Sequence, residues 1–284
     1  MHILMVGDIV GNPGVGIVER ALPQLILAEQ LDLVVANAEN ASGGSGLTPG
    51  AYRRLRAAGV DVVTMGDHIY KKLDILKVMA EGAPIVKPAN YPAEAPGLEC
   101  AVVTARDGTR VAVLSLMGRL YMRPVDCPFK AADRVLKRLD GQAACIVVDV
   151  HAEATGDKAV LGRYLDGKVS AVFGTHTHVP TADERILPGG AAFITDVGMT
   201  GPYESILGRQ IDRVLETNVT FVPTMFDIAT EDVRLAGAVV DIDPATGRSR
   251  SIRRLMLSES SVSPAHAASE VRQATGEATR PEFD

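Results

Sequence analysis

The chain has 284 residues, 46% of them hydrophobic, which suffices to bury a sizeable core as one large domain or two small ones. A formal charge of −6 argues against a broad nucleic-acid or membrane-surface binder, although a small phosphate ester held by bound metal ions stays open. Three cysteines without a CxxC pair, an N-terminus running straight into an apolar strand, and no apolar run near the ~20 residues of a membrane span point to the reducing cytoplasm.

In chain order, short apolar runs alternate with amphipathic stretches, the pattern of α/β proteins. Strands are predicted at Ile3–Val6, Leu31–Ala36, Val60–Met65 and Ile85–Lys87, interleaved with helices at Gly16–Leu27, Pro49–Ala58 and Leu73–Ala80. Asp107-Gly108 then reads as the turn of a hairpin between Ala101–Ala105 and Arg110–Leu116. A helix at Ala131–Leu139 precedes strands at Cys145–Val150, Ser170–Phe173 and Ala192–Thr195. Thr224–Asp243 and Ser249–Leu257 read as antiparallel strands around a turn at Pro244–Gly247. The expected result is an α/β protein whose sheets stack face to face between helices. The folded domain is expected to span residues 1–257. Residues 258–284, rich in Ser, Glu, Ala and Thr, are expected to form a disordered or weakly helical polar tail.

The chemistry concentrates where these strands end. Four of the six histidines fall in three segments, Gly66-Asp67-His68, Asp149-Val150-His151-Ala152-Glu153 and Gly174-Thr175-His176-Thr177-His178. Asp8 follows the first strand, and Glu39 with Asn40 follows the second. Parallel strands bring their carboxyl ends to one edge, so imidazoles and carboxylates at several such ends suit a divalent-metal site. His176 and His178 alternate, which on an extended strand sends both imidazoles the same way. Gly174 would let the backbone turn close to a ligand.

Each residue alone also admits a plainer reading. Asp8 suits a turn, Glu39 a surface position, and His151 a satisfied core position with Asp149 and Glu153 as partners. His68 fits either a third imidazole ligand or a general acid standing off the metals. The run Gly7–Gly16 lacks the Gly-Lys-Ser/Thr ending of a P-loop and reads better as a strand-to-helix turn.

Together with Asn37-Ala38-Glu39-Asn40 and the long stretches Asp149–Thr155 and Thr195–Tyr203, these segments resemble the YmdB-like branch of the calcineurin-like metallophosphoesterases over about residues 1–257. The resemblance implies a four-layer αββα sandwich with two stacked mixed sheets, a dinuclear centre, and phosphodiesterase activity on small diesters, with 2′,3′-cyclic nucleotides as the substrate class. It implies that Asp8 and His178 hold one metal, that Asp67, His151 and His176 hold the other, and that Glu39 bridges them. Asn40 would contact the first metal or the substrate phosphate, and His68 would protonate the leaving oxygen after attack by a metal-activated hydroxide. Iron and manganese are the expected metals, zinc and magnesium the alternatives. A homo-oligomer is common for such enzymes.

Two departures stand out. Val10 occupies the position where the wider superfamily offers a histidine. More consequentially, the family's Gly-Asn-His reads Gly66-Asp67-His68 here. Asp8, Glu39 and Asp67 would set three negative charges against two divalent ions, leaving a single positive charge where asparagine would leave two. That should raise the pKa of the shared water, or favour a trivalent iron in one position. Tyr70 stands where substrate stacking would be expected one position away, and Arg119 and Arg123 are either phosphate contacts or surface charges. Two other functions remain open on the same residues: a regulator that keeps the metal fold without turnover, and a phosphomonoesterase or 5′-nucleotidase.

Overall fold

The computed structural model describes residues 1–262. The chain begins β1 (His2–Val6), β2 (Asp8–Ile9), α1 (Gly11–Ala28), β3 (Leu31–Asn37), α2 (Pro49–Ala58), β4 (Val62–Thr64), α3 (Ile75–Ala80) and β5 (Ile85–Val86). It continues β6 (Cys100–Thr104), β7 (Arg110–Met117), α4 (Pro128–Arg138), β8 (Cys145–His151), α5 (Thr155–Leu165), β9 (Ala171–Thr175), β10 (Arg185–Ile186) and β11 (Ala192–Ile194). Then come β12 (Met199–Pro202), α6 (Ile211–Thr220), β13 (Val233–Ile242) and β14 (Ser249–Ser258), closed by a 3₁₀ turn over Glu259–Val262.

One sheet has the order β2-β12-β13-β1-β3-β4-β5, with β14 paired to β13; the other runs β10-β11-β9-β8-β7-β6. Both are mixed: β1, β3, β4 and β5 are parallel neighbours with β13 antiparallel to β1, and β7, β8 and β9 are parallel with β6 and β10 antiparallel at the edges. Side-chain alternation builds the layers. Ile3 and Met5 of β1, Leu33 and Val35 of β3, Val147 of β8 and Phe173 of β9 meet between the sheets. Leu4, Val6 and Val34 face Val18, Leu22 and Leu55 of α1 and α2. On the opposite side, Val148, Val150 and Leu114 face Val135, Leu161 and Leu165 of α4 and α5. Burial on both faces accounts for the continuous apolar runs in these strands. The expected αββα sandwich is the observed fold.

Several boundaries differ from expectation for local reasons. Helix α1 starts at Gly11, not Gly16, because first-turn N–H groups need no intrahelical partner and Pro13 costs nothing there. Helices α5 and α6 lie outside the predicted elements: α5 carries Gly156, Gly162 and a buried Lys158 that blur its stripe, and α6 buries none of its side chains. Only Val233–Ile242 of the expected Thr224–Asp243 strand is strand. Ser258–Val262 end β14 and make the final turn, and the remainder of the expected polar tail lies outside the described residues.

Candidate metal centre

The period of two that builds the layer between the sheets also builds the floor of the site. Leu33, Val35 and Asn37 share one face of β3, and Val147, Asp149 and His151 share one face of β8. At their carboxyl ends the apolar series therefore gives way to polar side chains. Asn37, Thr64, Asp149, His151 and Thr175 are all fully buried there. Asp149 accepts hydrogen bonds from Thr64 Oγ1 (2.5 Å), Thr175 Oγ1 (2.7 Å) and Asn37 Nδ2 (3.2 Å). With its proton given to Asp149, Thr175 Oγ1 accepts from His151 Nδ1 at 2.9 Å, which leaves the Nε2 lone pair of His151 facing the site.

Four of the expected ligands converge around that Nε2. Glu39, Asp67, His151 and His176 each offer one ligand atom, all within 4.8 Å of one another. His151 Nε2 lies 3.2 Å from Glu39 Oε1, 3.2 Å from Asp67 Oδ1 and 3.1 Å from His176 Nδ1. Gly66 makes the approach feasible, since a Cβ there would sit 2.1 Å from the His151 ring. Glu153, one of the acids flanking His151, instead meets His176 Nε2 at 3.2 Å.

The other expected residues border this group. Asn40 Nδ2 is 3.4 Å from Glu39 Oε1 and 3.3 Å from His178 Nε2. His178 Nδ1 donates to the Leu207 carbonyl at 3.2 Å, so its Nε2 is the nitrogen presented to Asn40. Asp8 Oδ2 accepts from the His176 backbone N–H at 3.0 Å, while among the described residues the fully buried Oδ1 has no hydrogen-bond partner. His68 is tied twice: its backbone N–H donates to Glu39 Oε2 at 3.0 Å, and its Nδ1 lies 2.7 Å from Asn40 Oδ1. Neither Arg119 nor Arg123 lines the cleft at this cluster; Arg123 stacks over Tyr91 at 5.9 Å.

Two features of this site depart from the expected geometry. His176 and His178 do not reach the site as alternate residues of an extended strand: β9 ends at Thr175, and the two histidines have φ of 95° and 66°. This left-handed backbone is a strained feature held by the surroundings. Asp196 does the holding, accepting from Thr177 Oγ1 (2.7 Å) and Thr177 N (3.3 Å) and from the buried Lys158 Nζ (2.6 Å). Nor does Gly174 serve a ligand; a Cβ there would fall 1.7 Å from the Thr195 carbonyl oxygen, so the glycine admits a crossing chain. The Leu207 carbonyl and the Lys158–Asp196 pair carried no separable sequence signal beyond the length of the Thr195–Tyr203 stretch.

Electrostatics favour a cation. Burial pushes the Asp8 carboxyl well above its usual range, with Asp196 and Glu39 adding to the effect against the pull of His151. Burial also opposes ionisation of Glu39 and Asp67, but His151 outweighs it and holds both below their ordinary values. Burial lowers the His176 and His178 imidazoles, keeping them neutral with lone pairs to give. His151 lies the other way: burial would lower it, yet Glu39 and Asp67 raise it well above its usual value, so a cation and a proton compete for its Nε2. Hard carboxylate oxygens, neutral imidazoles and an unpartnered buried oxygen on Asp8 fit divalent or trivalent metal ions.

A sandwich of two mixed sheets that gathers such donors at its strand ends is the architecture of the metallophosphoesterases, and this chain is one of these hydrolases. The YmdB-like protein family model matches residues 4–255, and the chain belongs to that family. It is 42% identical over 259 residues to a 2′,3′-cyclic-nucleotide 2′-phosphodiesterase of Bacillus subtilis, spanning 91% of this chain and 98% of that one. A hypothetical protein from Thermus thermophilus superposes with a TM-score of 0.86 at 40% identity, covering 91% of this chain and all of that one. A phosphatase from Mycoplasma pneumoniae does so at 0.85 and 31% identity, covering 94% and 96%.

Proposed function

We propose that the chain hydrolyses small phosphodiesters, 2′,3′-cyclic nucleotides in particular, at a centre of two metal ions. The reach of Glu39 carries this reading. Its carboxylate touches the His151–Asp67–His176 group directly and the His178 group through Asn40. Asp67, His151 and His176 would hold one ion and Asp8 and His178 the other, with Glu39 shared and Asn40 beside the second. Iron or manganese, or both, is the proposed pair, ahead of zinc and magnesium. Bound there, such ions supply Lewis-acid charge to the phosphoryl oxygens and lower the pKa of a nucleophilic water.

The chain's own groups do the remaining work. Asn37, Thr64 and Thr175 lock Asp149, and through Thr175 the ring of His151, so the ligand set is preorganised. His68 is anchored by Glu39 and Asn40, and with Nδ1 engaged its Nε2 is left to hold a proton for the departing alkoxide. The likeness to the Bacillus subtilis phosphodiesterase supports the substrate class. Among the described residues no helix is long and apolar enough to cross a membrane. Cys100, Cys127 and Cys145 are unpaired, which suits the reducing cytoplasm as the proposed compartment; fractionation of the producing cell checks it.

Anaerobic purification with elemental analysis, followed by rates on bis(p-nitrophenyl) phosphate, p-nitrophenyl phosphate and the cyclic nucleotides, tests the proposal. About two ions per chain and faster diester than monoester turnover are expected. Faster monoester turnover would make the protein a phosphomonoesterase, and absence of metal would end the reading.

A further inference from the structure

A cleft of about 370 Å³ opens directly on the metal-binding cluster, within the ~300–1,000 Å³ of typical small-molecule sites. Its floor is polar and includes Glu39, Asn40, His68 and His178. Its apolar lining comes mainly from one segment between β12 and β13, Ile206, Leu207, Val214 and Phe226, together with Val10. Val10 packs on Gly208, whose Cβ would fall 2.7 Å from Val10 Cγ1.

Arg209 organises this wall. Its Nη1 donates to the carbonyls of Phe226 (3.0 Å) and Gly43 (3.4 Å), and Nη2 donates to that of Gly44 (2.6 Å). All three partners are neutral, and among the described residues Arg209 forms no ion pair with a carboxylate. A guanidinium has five N–H groups, so Nε–H and one Nη2–H remain. Phe226, 40% exposed, lies in the same wall.

We propose that this wall is a nucleobase subsite, with Phe226 offering a stacking face and Arg209 reading the base edge. The proposal rests on the cyclic-nucleotide reading above and deepens it. An aromatic face suits any base. Two donors from one guanidinium suit the paired O6 and N7 acceptors of guanine better than adenine, which pairs an acceptor with a donor, or the pyrimidines. The second cleft with aromatic lining, that of Tyr70, Tyr91 and Arg123, is about 280 Å³ and includes none of the cluster residues in its lining. A base bound there would not be tethered to a phosphate at the metals as directly.

The test compares kcat/KM of the metal-loaded wild type, Phe226→Ala, Arg209→Gln and Tyr70→Ala on the four 2′,3′-cyclic nucleotides and on a base-free cyclic diester, glycerol 1,2-cyclic phosphate. Metal content is measured alongside. The expected results are a preference for the guanosine substrate in the wild type, and a loss in Phe226→Ala about tenfold greater for the nucleotides than for the base-free diester. In Arg209→Gln the ratio of guanosine to cytidine rates should fall towards one, a ratio that general damage to the segment would not move. Equal losses on both substrate types, an unchanged base ratio in Arg209→Gln, or base selectivity lost only in Tyr70→Ala would overturn the subsite while leaving cyclic-nucleotide hydrolysis standing. A wild type that cleaves the base-free diester but no cyclic nucleotide would overturn the underlying reading and the subsite with it.

Discussion

His68 and Asp67 are adjacent and face the same centre, yet they should fail differently. His68 touches the cluster through Glu39 and Asn40 without standing among the four convergent donors. His68→Ala should therefore keep its metals and lose about 10²–10⁴-fold in turnover, the usual worth of a general acid. Elemental analysis beside the kinetics separates the roles, because metal loss would make His68 a ligand. Asp67 Oδ1 is 3.2 Å from His151 Nε2 and carries a charge that an asparagine there would lack. Asp67→Asn should either shift the bound metals away from trivalent iron or, where both ions are divalent throughout, raise turnover at neutral pH because the centre regains a positive charge. Unchanged metal preference and rate would remove that role for the aspartate.

The turn that follows β9 depends on a contact from another element. Lys158 of α5 and Asp196 of the β11–β12 connection are both 1% exposed and joined at 2.6 Å, and Asp196 also grips Thr177 between the two histidines. Removing one member of a buried pair strands the other charge, at a cost of about 3–5 kcal/mol. Lys158→Met should thus lower stability by that order in chemical denaturation, and reduce metal content by releasing the strained His176–His178 backbone. Full metal content with normal stability would show that the pair is dispensable to the turn.

Across the whole molecule the cluster draws on both sheets: Asp8 opens β2 and Glu39 and Asp67 follow β3 and β4 of the eight-stranded sheet, while His151, His176 and His178 end or follow strands of the six-stranded one. A cation bound among them would clamp the two sheets and stabilise the native state alone, by about 2.7 kcal/mol at a hundredfold excess over Kd. Metal addition should raise Tm and chelation lower it. The gain should grow with pH. His151 holds its proton well above the ordinary histidine value, and the cation-bound state has lost that proton, so acid favours the proton and weakens the clamp. Thermal denaturation with and without metal at successive pH values checks this, and a gain that is flat or falls with pH would contradict it.

The layers, and the strand ends at which Glu39, Asp67, His151 and His176 converge, were legible in the residue order because both follow from local rules. Short, mainly apolar, β-branched runs such as Leu31–Ala36 and Cys145–Val150 read as strands buried on both faces, and an acid or histidine just past such a run emerges at a sheet edge. The breaks in the pattern sat where partners distant in the chain prevail. His176 and His178 looked like neighbours on an extended strand, but Asp196 and Lys158 bend their backbone into the left-handed region. Val10 looked like a missing ligand, and packing against Gly208 makes it part of a wall. Arg209, indistinguishable from any surface arginine in the chain, acquires its place only when the Phe226 carbonyl of its own connection and the Gly43 and Gly44 carbonyls of a distant loop surround it. Periodicity records which face a side chain leaves from; which groups it meets there depends on other segments, 19 residues away for Thr177 and Asp196 and 166 for Arg209 and Gly43, and no local pattern encodes them.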